Sequence, residues 1–518
     1  MEPRLSGKLT PSSLRNDDAA AAKITLISVP STCTRVGALL LSLAAFAIGL
    51  VSPSLGEGVS DQRFVLPKTR AWTADFSEML KRGKLRLLVP YSKTLFFVDR
   101  GRQLGVVAEF GHELEASINA RYKSKTSRFH VDLLPTARGR LLEALNKGYG
   151  DAVAANLTIT PERVAVVDFV DPWLKNVKEI IVTGPASPKL DKIEDLAGRD
   201  IHMRDSSVYV SHLAKLSEAL VAKGLKPIRI KSIDENLENE DLIEMVNAGL
   251  LPYAVVDDHE ATIWTQIFPN AVPRQDLVVG ERGEIAWAIR KNSPELKAEL
   301  NAFFSNHSAI TSFGATVRKR YFSDKRVVKN ALEENEAQKF LAVIDLFRRY
   351  GTQYNFDYLM IEAQAYQESG LDQSRRSPAG AVGLMQIKPS TAAGSPIGIT
   401  GVANDPDRNV HAGCAYLRYV ADTFVDDPAI DAKNRTLMSF AAYNAGPYNL
   451  QKFRAFAKQA GLDPNIWFSN VELGAAKIVG FETVQYVNNI YKYYIAYQLS
   501  VERLEAQRKA TEGMRSQN

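Results

Sequence analysis

The rhythm of apolar residues changes once along these 518 residues, and that change limits the fold more than any other feature. Up to about residue 305, short runs rich in branched residues alternate with helical patterns. KLRLLVPY (84–91), HVDLLPT (130–136), DAVAANL (151–157), EIIVTGP (179–185), DIHMRDS (200–206), IRIKSI (228–233), YAVVDDH (253–259) and EIAWAIRK (284–291) read as strands. Residues 109–122, 140–148, 211–224 and 238–249 place apolar side chains at three- and four-residue steps and read as helices. Strand–helix alternation predicts parallel sheets with crossover helices, hence an α/β block. From about 335 the strand signals almost vanish. EAQKFLAVIDLFRRYG (336–351) carries an apolar stripe stopped by Gly351, and similar stripes continue to about 503. The fold class expected is multidomain, an α/β block and then a mainly α block, joined by the polar stretch 305–335.

A chain this long needs more than one core. Its 45% hydrophobic and 24% charged residues are ordinary for a soluble globular protein. The formal charge of +5 is close to neutral for the size, so nucleic-acid binding is not expected. Cys414 lies among apolar residues at helical spacing and reads as core; Cys33 lies in the N-terminal segment, so no internal disulfide is expected in a mature chain. Neither a metal nor a cofactor is expected. GALLLSLAAFAIGLV (37–51) runs without a charge after Arg35 and is followed by SPSLGEG. It falls short of the roughly 20 residues of a membrane span and fits a signal-peptide core. Residues 1–56 are therefore read as a signal peptide or N-terminal anchor, and export is expected.

Within the helical block, Asp357 is a good N-cap and Gly370 a good stop for one helix. Glu368 then falls in the last turn, on a face shared with Ile361 and Ala365. A carboxylate there faces the negative end of the helix dipole, at a cost of about 0.3–1 kcal/mol. Such a carboxyl should hold its proton more tightly than usual, the property a general acid needs near neutral pH. Glycoside hydrolysis usually needs a second carboxyl, and Asp372 is the obvious one. It lies beyond the helix stop, where capping the next turn suits it better, so a single acid is preferred.

AYQESGLD (365–372), GLMQ (383–386) and AYNAG (442–446) follow in an order and spacing that resemble the lysozyme-like lytic transglycosylases of bacterial cell walls. FETVQYVNNIYKYY (481–494) resembles that family's closing motif. The resemblance covers about 150 residues. It implies that Glu368 protonates the glycosidic oxygen between N-acetylmuramic acid and N-acetylglucosamine. The same residue then acts as base as the muramoyl 6-hydroxyl attacks C1, giving a 1,6-anhydromuramoyl end. It further implies that Ser369 supports Glu368, that Met385 and Gln386 line the cleft, and that Tyr443 and Asn444 stabilise the developing charge. Glu482 and Tyr486 are the matching positions of the last motif.

GYGDAVAANLTITPERVAVVDFVDPW (148–173) resembles the periplasmic amino-acid-binding proteins, which implies two lobes closing on a ligand. By that resemblance Arg163 would hold a ligand carboxylate, assisted by Thr158 and the Ser206 hydroxyl, while Asp258 would hold the amine, with Asp257 as the competing choice. The expected division is 57–325 for a regulatory, non-catalytic block and 326–518 for the transglycosylase block. The partners implied are peptidoglycan glycan strands, an amino acid or muropeptide in the first block, and a membrane surface. The location implied is the periplasm, peripheral at the outer membrane. Two other readings stand beside this one: a lysozyme-type muramidase, and a non-catalytic receptor for an amino acid or muropeptide.

Overall fold

The computed structural model describes residues 70–122, 128–306 and 334–515, all within one compact unit, Ser60–Asn518. The N-terminal segment 1–56 and the expected boundary at 325 lie outside the described residues. In chain order the strands are β1 (Lys84–Val89), β2 (Phe97–Asp99), β3 (Arg102–Leu104), β4 (His130–Pro135), β5 (Ala152–Thr158), β6 (Asp168–Phe169), β7 (Leu174–Val177), β8 (Glu179–Thr183), β9 (Asp200–Met203), β10 (Arg229–Ser232), β11 (Tyr253–Asp257), β12 (Val272–Val278) and β13 (Gly283–Ile289). All eight segments read as strands from the sequence are among them.

The first lobe is a sheet in the order β4-β1-β5-β13-β6, with β7 beside β13. β1 pairs in parallel with β4 (Leu87 opposite Leu133) and with β5 (Leu87 opposite Ala152). Five of its six residues are buried, as expected of a parallel strand covered on both faces. The second lobe holds an antiparallel sheet β11-β8-β12 and the parallel pair β9/β10. The all-parallel expectation therefore holds only in part. The chain leaves the first sheet after β5–β7, builds the second lobe, and returns as β13 antiparallel to β5. A strand arriving from a separate lobe carries no crossover helix to impose parallel pairing.

After residue 333 the described structure is helical. The helix Tyr358–Ser369 packs between Glu334–Tyr354 and the long C-terminal helix Phe481–Arg515, with Pro406–Phe424, Ala432–Ala445 and Pro447–Ala460 around them. One continuous apolar core runs from the first lobe into this bundle, while the second lobe has its own. The two blocks are also tied by polar contacts. Lys492 Nζ, fully buried, lies 2.6 Å from Glu244 Oε2 and 3.0 Å from Asp241 Oδ1, and Lys93 Nζ lies 3.0 Å from the same Glu244 oxygen. Burial alone would lower the Lys492 ammonium, but the two carboxylates outweigh it and raise its pKa. Among the described residues no helix is long and apolar enough to cross a membrane.

Candidate active site

The helix carrying Glu368 is twelve residues long because its ends are fixed by sequence. The Asp357 carboxylate accepts the Leu359 N–H at 2.9 Å, and Gly370 closes the C-terminus at φ 68°, a left-handed conformation that favours glycine. Glu368 is half-buried in the last turn. The Tyr486 hydroxyl donates to its Oε1 at 2.6 Å and accepts from Gln364 Nε2 at 3.1 Å. Gln364 is one helical turn before Glu368, on the same face. Because the Gln364 amide fills the phenol's acceptor side, the phenol's single proton points to Glu368. That leaves Oε2 as the oxygen free to carry an acid proton. Burial pushes Glu368 up to about 7, against the Tyr486 bond and the nearby Arg375 charge, both of which favour the carboxylate.

A tight turn, Gly383–Gln386, stands beside this helix end. Gly383 has φ +77°, and a Cβ there would run into the Asn409 side chain. Asn409, fully buried, accepts the Met385 N–H on Oδ1 at 2.8 Å and donates Nδ2 to the carbonyls of Val382 and Val402 at 2.9 Å each. The Tyr443 hydroxyl donates to the Met385 carbonyl at 2.7 Å. Burial, joined by the Glu368 charge, raises the Tyr443 phenol well above its ordinary value. Ser369 Oγ lies 2.9 Å from the Leu384 carbonyl and 3.0 Å from that of Ala365, sharing one proton between them, and it accepts the Asp372 N–H at 3.2 Å.

The sequence-derived residues are thus placed as follows. Glu368, Tyr486, Tyr443 and Ser369 converge on the helix end and the turn. Met385 contributes its backbone, because its side chain is fully buried against Gly413. The Gln386 amide turns to the carbonyls of Gly383 (2.9 Å) and Arg375 (3.3 Å). Asn444 is exposed, its Oδ1 accepting the Thr483 hydroxyl at 2.8 Å. Glu482 is exposed in the first turn of the C-terminal helix, one turn before Tyr486. Asp372 is exposed and caps Ser374, accepting its N–H at 2.8 Å and its hydroxyl at 2.6 Å. Those bonds hold its carboxyl below its ordinary value. Sequence reading missed Gln364, although its spacing of four from Glu368 was a signal. It also missed Asn409, for which no local pattern exists.

In the first block, Arg163 Nη1 donates to the Thr158 carbonyl at 2.9 Å, so these two stand together. Burial lowers the Arg163 guanidinium, as does the neighbouring Arg138 charge. Asp258 is half-buried at the start of the helix Asp258–Trp264. The buried acid is Asp257, raised by burial and by Glu260, and its Oδ1 has no hydrogen-bond partner among the described residues. Ser206 is engaged apart from these, its N–H and hydroxyl both donating to Glu235 at 2.9 and 2.5 Å. A small cleft open to solvent lies between the blocks, lined by Tyr91, Lys93, Arg138, Glu240, Phe468 and Glu472 among others.

Residues 345–466 match the family model described as transglycosylase SLT domain, and residues 91–323 match bacterial extracellular solute-binding proteins, family 3. A protein of Desulfosudis oleivorans named membrane-bound lytic murein transglycosylase F is 26% identical over 448 residues, covering 82% of this chain and 93% of its own. One of the same name from Ectopseudomonas mendocina is 26% identical over 471 residues, covering 86% and 89%. A solved ancestral amino acid-binding protein is 23% identical, with a TM-score of 0.37 over 48% of this chain and 99% of its own. The chain is thus multidomain, a solute-binding-protein-like α/β part ahead of a helical SLT part, and similar over most of its length to membrane-bound lytic murein transglycosylase F.

Proposed function

We propose that this protein cleaves peptidoglycan between N-acetylmuramic acid and N-acetylglucosamine without consuming water, leaving 1,6-anhydromuramoyl ends. The SLT match and the names of its relatives support an enzyme of the lytic transglycosylase class. The observation that carries the finer reading is the single carboxyl Glu368, held near pKa 7 by burial and oriented by Tyr486. Glu368 gives its proton to the glycosidic oxygen as the bond to C1 breaks, and its partial burial keeps the proton available at neutral pH. The carboxylate so formed is stabilised by the Tyr486 hydroxyl. It then takes the proton of the muramoyl 6-hydroxyl as that oxygen bonds to C1, which restores the acid. The Tyr443 hydroxyl holds the Met385 carbonyl, fixing a wall of the site beside the reacting sugar. Asn444 stands at its exposed edge.

A hydrolytic route through Asp372 is less favoured, because that carboxylate is already committed to Ser374. In this proposal the first block, 57–325, is regulatory and takes an amino acid or muropeptide through Arg163, Thr158 and the buried acid Asp257. The block 326–518 is catalytic. The protein acts in wall turnover in the periplasm, peripheral at the outer membrane; the relatives are named membrane-bound. Mass spectrometry of isolated walls treated with the protein and with Glu368→Gln tests the reading. Anhydromuramoyl ends are expected from the unaltered protein and none from the variant. No new ends from either protein would instead support a glycan-binding receptor, equal release by both would show that Glu368 is not the acid, and reducing ends would support a muramidase.

A further inference from the structure

The hydroxyl that orients Glu368 is carried on the long helix Phe481–Arg515, and the start of that helix is held by the other block. The preceding helix, Glu472–Ile478, ends where the N–H groups of Val479 and Gly480 both close on the Ala475 carbonyl. Gly480 then turns the chain at φ +106°, and having no side chain it cannot cap the helix it opens. The cap comes from 382 residues away, where Asp99 Oδ1 accepts the Phe481 N–H at 3.1 Å. A Cβ on Gly480 would stand 2.9 Å from that same oxygen, so the approach requires glycine. Asp99 ends β2, which pairs with β3 across a two-residue turn whose members Arg100 and Gly101 have φ 49° and 81°. This hairpin grips both sides of the bend. Before it, the Arg100 N–H donates to the Ala476 carbonyl at 3.0 Å; after it, the Phe97 ring packs 5.0 Å from that of Phe481. The turns that follow are committed to the site. The Thr483 hydroxyl donates to Asn444 Oδ1 at 2.8 Å, and Tyr486 comes about 7.5 Å along the axis from Phe481.

We infer that Asp99 is a positioning residue for the reaction: by capping the last helix from the first block, it sets where the Tyr486 hydroxyl meets Glu368. This rests on the proposed transglycosylase reading. Asp99 acts through Tyr486 and not on the sugar. Loss of its oxygen leaves the Phe481 N–H unpaired and frees the helix start to turn about Gly480. A displaced Tyr486 no longer stabilises the Glu368 carboxylate, so the acid keeps its proton to higher pH but is aimed less well. The test is kcat and KM against pH on isolated glycan strands, for the unaltered full chain, Asp99→Ala, Asp99→Asn, Tyr486→Phe, and Asp99→Ala combined with Tyr486→Phe. Asp99→Ala is expected to lower kcat about tenfold with little change in KM, and to move the alkaline limb of the kcat profile upward as Tyr486→Phe does. Asp99→Asn keeps an acceptor for the Phe481 N–H and is expected to restore both. In the Tyr486→Phe background Asp99→Ala is expected to add nothing, because the residue it positions has already lost its hydroxyl. An unchanged kcat and limb in Asp99→Ala, a loss that Asp99→Asn does not restore, or effects that add in full would overturn the role. Should Asp99→Ala not fold, Asp99→Glu, which keeps the charge on a longer arm, is read in its place by the same limb and the same combination. Glu368→Gln, run in parallel, separates the two ideas. If it retains turnover, the transglycosylase reading fails; if it is inactive while the Asp99→Ala profile is unmoved, only the positioning role fails.

Discussion

At the scale of single residues, Glu368 is set apart by what surrounds it rather than by its type. Its ordinary value of 4.5 is moved to about 7 mainly by burial. Below about 4.5 the group is protonated in both folded and unfolded chains and contributes nothing to stability. Above about 7 it is ionised in both, and the full cost of the half-buried charge falls on the folded state. Stability is therefore lost as pH rises through this window. Glu368→Gln is expected to stabilise the protein by about 1–3 kcal/mol at pH 8 and hardly at all at pH 4, read by denaturant unfolding at both values. The sequence showed the residue and its place at a helix end. The resemblance of the last motif also named Tyr486, but not its bond to Glu368, 118 residues away, which forms only when the last helix docks. A second acid in the same helix, Glu362, is wholly buried with neither carboxyl oxygen bonded to a described residue, and burial pushes it up to about 9.

Among elements, the helices were the most legible and the connections between them the least. Asp357 and Gly370 marked both ends of the Glu368 helix, because caps are local chemistry. The turn Gly383–Gln386 could equally have been a buried strand from its sequence. Its form depends on Asn409, whose side chain satisfies the Met385 N–H and the Val382 and Val402 carbonyls. Asn409→Ala leaves those groups unpaired at about 1–3 kcal/mol each. It is expected to lower the melting temperature and, by loosening the wall beside Glu368, to reduce kcat more than it raises KM. A variant with unchanged kcat would show that the turn needs no such clamp. The short elements Pro161–Val166 and Asp258–Trp264 were not read from sequence, since pieces of six or seven residues carry too few apolar positions to reveal a period.

For the whole molecule, the division into an α/β block and a helical block was legible as a change of hydrophobic period, whereas the joint between them was not. Lys492 sits in NNIYKYY, which reads as ordinary helix, and no local pattern pairs it with Asp241 or Glu244 some 250 residues earlier. Removing one member of a buried ion cluster strands the others. Lys492→Met is therefore expected to cost about 3–5 kcal/mol, and adding Asp241→Asn and Glu244→Gln to recover most of that loss, as read by thermal melts. A single substitution with no effect would show that the joint rests on its apolar contacts, such as Phe97 against Phe481 at 5.0 Å. The claim on which the rest depends is that the muramoyl 6-hydroxyl, and not solvent, closes the reaction begun by Glu368. Digestion of glycan strands in water enriched in oxygen-18, followed by mass spectrometry of the fragments, measures this directly. The expected products are anhydromuramoyl ends carrying no label; labelled reducing ends would contradict it.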